Sequence, residues 1–288
     1  MKPKRHASIN ELGRRITLLC SNQSSLKLVF ALALVISSFT AMAQQKKSSF
    51  ADLTKLFSEW RAFQRPKLID GVPDYSAPAM SAQHRELARY QRRLAAIDTS
   101  RWPINQQVDW HIVRAEMNGL DFDHRVLRPW ANNPAFYVTV FLDRSDQPAR
   151  EGPHAYGAAE TWKDTFPLAA ERAAEIHATL RIIPRLLEQA RKNLVGNGRD
   201  LWIYGTSEVR DQSSSLNRLA ILIGNTSAEI KSDIALAKKA TDQFVGWLEA
   251  QASSKTALSG IGVENYDWYL KNVQLVPYTW QQEVALME

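Results

Sequence analysis

Five histidines follow residue 43, His84, His111, His124, His154 and His177, and their spacing limits the chemistry they can do together. A zinc hydrolase typically places two imidazoles one helical turn apart, as in His-Glu-x-x-His, so that both reach one metal. No such pair occurs, and four residues after His84 comes Ala88. The tightest polar cluster is Asp121, Asp123 and His124, whose oxygen and nitrogen atoms are of the metal-ligating kind; following Gly119, it reads as the solvated end of a helix. Glu171 and Glu175 share a helical face, as paired catalytic carboxylates would, but Arg172 and Arg181 flank them and a surface charge network is the expected arrangement. The serines at 213–215 lack the Gly-x-Ser-x-Gly elbow of a hydrolase nucleophile. Residues 196–200 lack the lysine and hydroxyl of a phosphate-binding loop and read as a helix cap and turn. Trp202, Tyr204, Trp268, Tyr269, Tyr278 and Trp280 either line a pocket for peptide or sugar or fill gaps between helices, and gap-filling is the expected role. The sequence therefore predicts no catalytic and no metal-ligating residue, and leaves the substrate-binding residues unassigned.

The elements around these residues are helical. With Ser81 as N-cap, Leu87, Tyr90, Leu94 and Ile97 recur at three- and four-residue spacing, with arginines filling the outer face. Pro103 opens a second helix with Ile104, Val108, Ile112 and Ala115 as its stripe. The longest pattern is Ile176, Leu180, Ile183, Leu187, Ala190 and Leu194, stopped by Gly196-Asn197-Gly198 and expected to kink or split at Pro184. Val209, Leu216, Leu219 and Ile223, the Gly224-Asn225 break, and then Ile230, Ile234, Ala237, Phe244 and Leu248 predict an antiparallel helical hairpin. Only Ala135 to Leu142 has strand-like density of β-branched and aromatic residues. The expected fold is all-α, an irregular multi-helix array with helical hairpins and at most one short strand pair.

The 288 residues are 45% hydrophobic and 23% charged, the composition of a folded chain rather than a disordered or collagen-like one. The net charge of +6 suggests a nucleic-acid partner only until it is located. Six of the 36 bases and one of the 30 acids lie within residues 1–43, so the remainder is nearly neutral. No nucleic-acid partner is expected. That leader has a basic stretch followed by Leu26 to Ala43, whose apolar core is the length of a signal peptide and short for a membrane span. Ala41 and Ala43 flank Met42 as a cleavage site, so residues 1–43 are expected to be removed and the mature chain to start at Gln44, with 44–49 as a polar spacer. The sole cysteine, Cys20, leaves with the leader, which removes disulfide and thiolate chemistry from the mature chain. The protein is expected to be exported, periplasmic or secreted, with no membrane attachment after cleavage.

Within Gly260 to Glu283, the residues Gly262, Glu264, Tyr266, Leu270, Pro277, Tyr278 and Thr279 form a Gly-x-Glu-x-Tyr-x-x-x-Leu stretch followed by a Pro-Tyr-Thr turn and a helix. This stretch resembles domain of unknown function 885, a family of helical, often exported bacterial proteins similar to zinc metallopeptidases. Looser matches at Phe57 to Arg61, at Ile97-Asp98 with the helix through Asp109, and over Phe166 to Leu187 extend the resemblance across 50–288. Members of that family carry their zinc site, a His-Glu stretch ending in Pro-Gly-His, downstream of the Pro-Tyr-Thr helix in which this sequence ends. The resemblance therefore implies an amino-terminal half, with zinc expected only in a full-length relative and no cofactor in this chain.

Two functions follow as expectations. One is the amino-terminal helical portion of an exported metallopeptidase-like hydrolase, inactive alone, with a peptide substrate or the missing carboxy-terminal half as partner. The alternative is a self-contained envelope binding or scaffold module for a peptide or protein. On the first, Tyr278, Trp280, Val284 and Leu286 are expected to lie exposed.

Overall fold

A computed structural model describes residues 48–143, 154–224 and 227–288. The predicted cleavage positions Ala41, Ala43 and Gln44 lie outside the described residues, and Ser49–Glu288 forms one compact unit. No helix among the described residues is long and apolar enough to cross a membrane.

The unit is an all-α array with two cores. Helices α1 (Phe50–Gln64), α2 (Ala77–Ala95) and α3 (Ile104–Phe122) build the first, filled by Leu53, Leu56, Trp60, Leu87, Tyr90, Leu94, Val113 and Met117. Ser49 starts α1 through a reciprocal capping box with Asp52, which satisfies amide groups a helix start leaves open. Helices α5 (Ala170–Asn193), α6 (Arg199–Ile223) and α7 (Ala228–Gln251) build the second core. Every stripe residue predicted for these three helices is buried, because the 3.6-residue repeat of apolar side chains gives each helix one face that must leave water. Ser227 caps α7 after the Gly224 turn, completing the expected hairpin.

Four expectations need correction. The helix expected to start at Ser81 begins at Ala77, capped by Ser76, and Pro78 sits in its first turn where a missing amide costs nothing. In α3 the buried residues are Val113, Ala115, Met117 and Phe122, whereas Ile104 is 79% exposed and Val108 and Ile112 are exposed too. The helix carries apolar residues on two faces, and Trp110, whose indole donates to the Leu94 carbonyl, turns the other face inward. Pro184 does not split α5; the helix is continuous from Ala170 to Asn193, held by fully buried Ile183, Leu186 and Leu187 on either side of the proline. Finally, two short strand pairs occur among the described residues instead of one.

The antiparallel pair β1 (Leu68–Ile69) and β2 (Val72–Pro73) turns through Asp70-Gly71, both at positive φ, the backbone of a two-residue primed hairpin. The parallel pair is β3 (Val140–Phe141) and β4 (Ala159–Glu160). The strand-like run from Ala135 begins in a 3-10 turn over Pro134–Tyr137 and narrows to strand at Val140–Phe141, its buried apolar residues packing into the second core.

The carboxy-terminal helices are α8 (Val263–Tyr269), continued by a π turn over Leu270–Gln274, and α9 (Trp280–Met287). Trp268 of α8 stacks on Phe122 with ring centroids 5.7 Å apart and pins the end of α3. No residue of α9 is buried.

Candidate functional site

The end of α3 passes into a π turn over Asp123–Leu127, closed by Arg128 in the left-handed region at φ 44° before the short helix α4 (Pro129–Asn132). Single π turns insert an extra residue into a helix, reorient its side chains and recur at functional sites. Here the turn presents Asp123 to one side and His124 to the other. Asp123 opens onto a cleft of about 460 Å³. Arg61 and Arg65 at the end of α1, with Leu120, Tyr75, Met80, Trp130 and Phe136, line it, together with residues 154–157.

Asp123 is half-buried, and its carboxyl makes no hydrogen bond or ion pair among the described residues. Burial alone pushes its carboxyl up to about 7, because a charge in a low-dielectric wall loses its hydration. Its neighbour Asp121 is the opposite case: one oxygen lies 3.0 Å from His84 Nε2 and the other 2.6 Å from Arg125 Nε. The predicted solvated helix end is thus partly an interior site. His124 is buried, its ring stacked on that of His84 at 4.9 Å with planes 6° apart. Its Nε2 lies 3.0 Å from Gln83 Oε1, and since Gln83 gives its amide hydrogen to the Gln64 carbonyl, His124 is the donor of that pair. Burial, followed by the nearness of His84, lowers His124 to about 4, against an opposing pull from Asp121.

Two pH effects of opposite sign follow. Asp123 has a folded pKa above its unfolded value, so its contribution to stability is full below pH 4 and lost as pH rises through 7. His124 has a folded pKa below its unfolded value, so its contribution is full above 6.5 and lost as pH falls through 4. Asp123→Asn is therefore expected to raise stability at pH 8 by about 1–2 kcal/mol, a figure reduced from the full shift because the cleft is open to water, with no gain at pH 4. Urea unfolding at the two pH values checks this, and an equal change at both would contradict it.

The structure brings together His84, Asp121 and His124, turns Asp123 into the cleft, and leaves the other predicted candidates apart. His111 is exposed beside Trp110, His154 lies at the edge of the cleft, and His177 pairs with Asp233 between α5 and α7. Glu175 binds Arg172, which also grips Asp164, as the predicted charge network requires. Ser213 is buried on α6 and donates to Asp242 of α7. Of the six aromatic candidates none lines the cleft: Trp202 is buried with its indole on the Leu248 carbonyl, and Tyr278 and Trp280 are exposed on the surface.

Zinc does not fit the cluster. Among the described residues no group of three or more His, Cys, Asp or Glu side chains is placed to hold one metal ion. A larger cleft of about 590 Å³ lies between the π turn and residues 257–261, but its charged member Arg125 is already held by Asp121. The aromatic lining of the Asp123 cleft was missed in the sequence, although Asp70-Gly71 announces the hairpin that delivers Tyr75.

No protein-family model and no curated protein matches the chain. A solved structure from Shewanella oneidensis, of a protein classed as a lipoprotein of unknown function, shares the fold with a TM-score of 0.61 and 18% identity. The match covers 83% of this chain and 45% of that one, so the chain spans less than half the neighbour's length. At this identity the likeness is one of fold.

Proposed function

We propose that this chain is the amino-terminal helical portion of an exported metallopeptidase-like hydrolase, and that the Asp123 cleft is where it holds a peptide. The observation that carries the binding role is the cleft itself: about 460 Å³, with aromatic rings in its lining and a carboxyl that has no partner. Ligand sites combine apolar walls with a few polar groups left unsatisfied by the protein. The hydrolase assignment rests on the resemblance around Gly262 to Thr279. Export rests on the leader ending at Ala43, and the Shewanella protein, classed as a lipoprotein, has an envelope character in keeping with it. The catalytic metal and its ligands belong, on this reading, to the remaining half of a full-length relative.

One observation favours the second reading, a binding module that works by itself: every residue lining the cleft lies within 61–157. Both readings predict that the mature chain binds short peptides at this cleft without cleaving them. Hydrogen exchange with a mixed di- to pentapeptide library is expected to show slowed exchange at 119–130 and 154–157. Absence of protection there with every peptide would remove the peptide-binding role, and turnover by the chain alone would remove the claim that it is inactive by itself.

A further inference from the structure

We propose that the cleft is an ammonium receptor, in which the carboxylate of Asp123 receives a protonated amine and the apolar body of the ligand lies against Trp130 and Phe136. This rests on the reading of the cleft as a binding site and gives that site its chemical class. The inference begins from what the protein itself leaves unused. Asp121, two residues away, is saturated by His84 and Arg125. Asp123 lines the cavity, its carboxyl making no ion pair or hydrogen bond among the described residues, so its charge is available to whatever enters.

The bases around it are turned to other partners, although Arg65, set over a ring, keeps its full charge. From α1, Arg61 pairs with Glu116 at 3.5 Å and Arg65 lies over the ring of Tyr156 at 5.9 Å. From α2, His84 is bound to Asp121, and on the π turn itself His124 is bound to Gln83 while Arg125 is bound to Asp121. Elsewhere in the lining, the Tyr75 hydroxyl accepts the Tyr156 amide, and His154 packs edge-on to Phe141. None of these forms an ion pair with Asp123. A single carboxylate is too few oxygens for a calcium or magnesium site, whereas it suffices for one ammonium, whose charge-assisted hydrogen bond is about twice as strong as a neutral one. Trp130 and Phe136 supply the apolar contact that such a ligand's carbon skeleton requires.

Protonation provides a second readout. With its carboxyl held near 7, Asp123 is mostly neutral at pH 6, so an incoming ammonium must displace the proton. At pH 8.5 the carboxylate is already free, and binding should release none.

The probes are 2-phenylethylamine, a cation at both pH values, and 2-phenylethanol, its neutral counterpart, titrated calorimetrically into the mature chain in buffers of different ionisation enthalpy. The amine is expected to bind about tenfold or more tightly than the alcohol at pH 8.5, and to release close to one proton at pH 6. Asp123→Asn should erase both the preference and the proton release, and Asp123→Glu should retain the preference. Equal binding of the two probes would overturn the ammonium receptor while leaving the binding cleft intact. No binding of the amine would overturn the receptor as well. Selective binding of the amine without protection by any peptide would uphold the receptor and remove the peptide reading, marking a free amine as the ligand.

Discussion

Gln212→Leu is expected to lower the stability of the mature chain by about 3 kcal/mol, although leucine is close in size and more apolar. Gln212 is 1% exposed on α6 and reaches into the other side of the second core. Its Oε1 accepts the backbone amides of Thr139 at 2.6 Å and Val140 at 3.2 Å, and its Nε2 donates to Thr241 Oγ1 at 3.3 Å. Among the described residues the segment after the 3-10 turn pairs along one edge, through β4, and this side chain takes the place of a strand on the other. Leucine would leave two buried amide donors without acceptors, and each such group costs about 1–3 kcal/mol in an apolar interior. The gain from added apolar burial offsets part of that. Chemical unfolding of the two proteins checks the value, and a loss below about 0.5 kcal/mol would mean that water or a backbone shift satisfies both amides. Phe136 belongs to the same segment, so amine affinity in the cleft should weaken along with stability.

Gly205→Ala should cost about 2–3 kcal/mol, against the usual direction for a glycine inside a helix. Alanine normally stabilises such a position by about 1 kcal/mol because it loses less backbone freedom on folding. At Gly205 an added Cβ would stand 2.7 Å from Pro134 Cδ and 2.9 Å from the Ala135 nitrogen. Neither neighbour can give way: one is a rigid ring and the other is backbone. The 3-10 turn would have to lift from α6, carrying Phe136 with it. Gly246 of α7 is the internal control, since nothing lies within 4 Å of its added Cβ, and Gly246→Ala should stabilise by up to about 1 kcal/mol. Thermal unfolding of both variants separates the two effects; the same sign at both positions would show that the contact with Pro134 is not limiting.

The second core was legible because its helices present one apolar face each. Ile176 through Leu194, Val209 through Ile223 and Ile230 through Leu248 repeat every three or four residues, and that repeat determines what is buried. The α3 stripe was misread because Ile104, Val108 and Ile112 repeat just as well as the buried Val113 and Met117. A pattern shared by two faces cannot say which one meets a partner. The site was less legible still. Asp121, Asp123 and His124 stood out as a cluster, but a helical ideal assigns all three to a solvated end. The π turn turns Asp123 toward the cleft and buries His124, and an inserted residue of this kind leaves no periodic trace. Arg61, Arg65 and Tyr75 reach the site from parts of the chain about fifty residues away, which spacing does not record.

The cleft draws its lining from both cores. Leu120 packs with the first core and Arg61 and Arg65 extend from its helix α1, whereas Tyr75, Met80, Trp130 and Phe136 belong to the second. A substitution inside either core is felt mainly by the lining residues that core supports, since packing strain travels through touching side chains. Divergence can therefore reshape the charged and the aromatic parts of the lining in separate mutational steps, each tolerable by itself. Asp123, on the turn where α3 leaves its core, is the point both lineages of change must continue to accommodate.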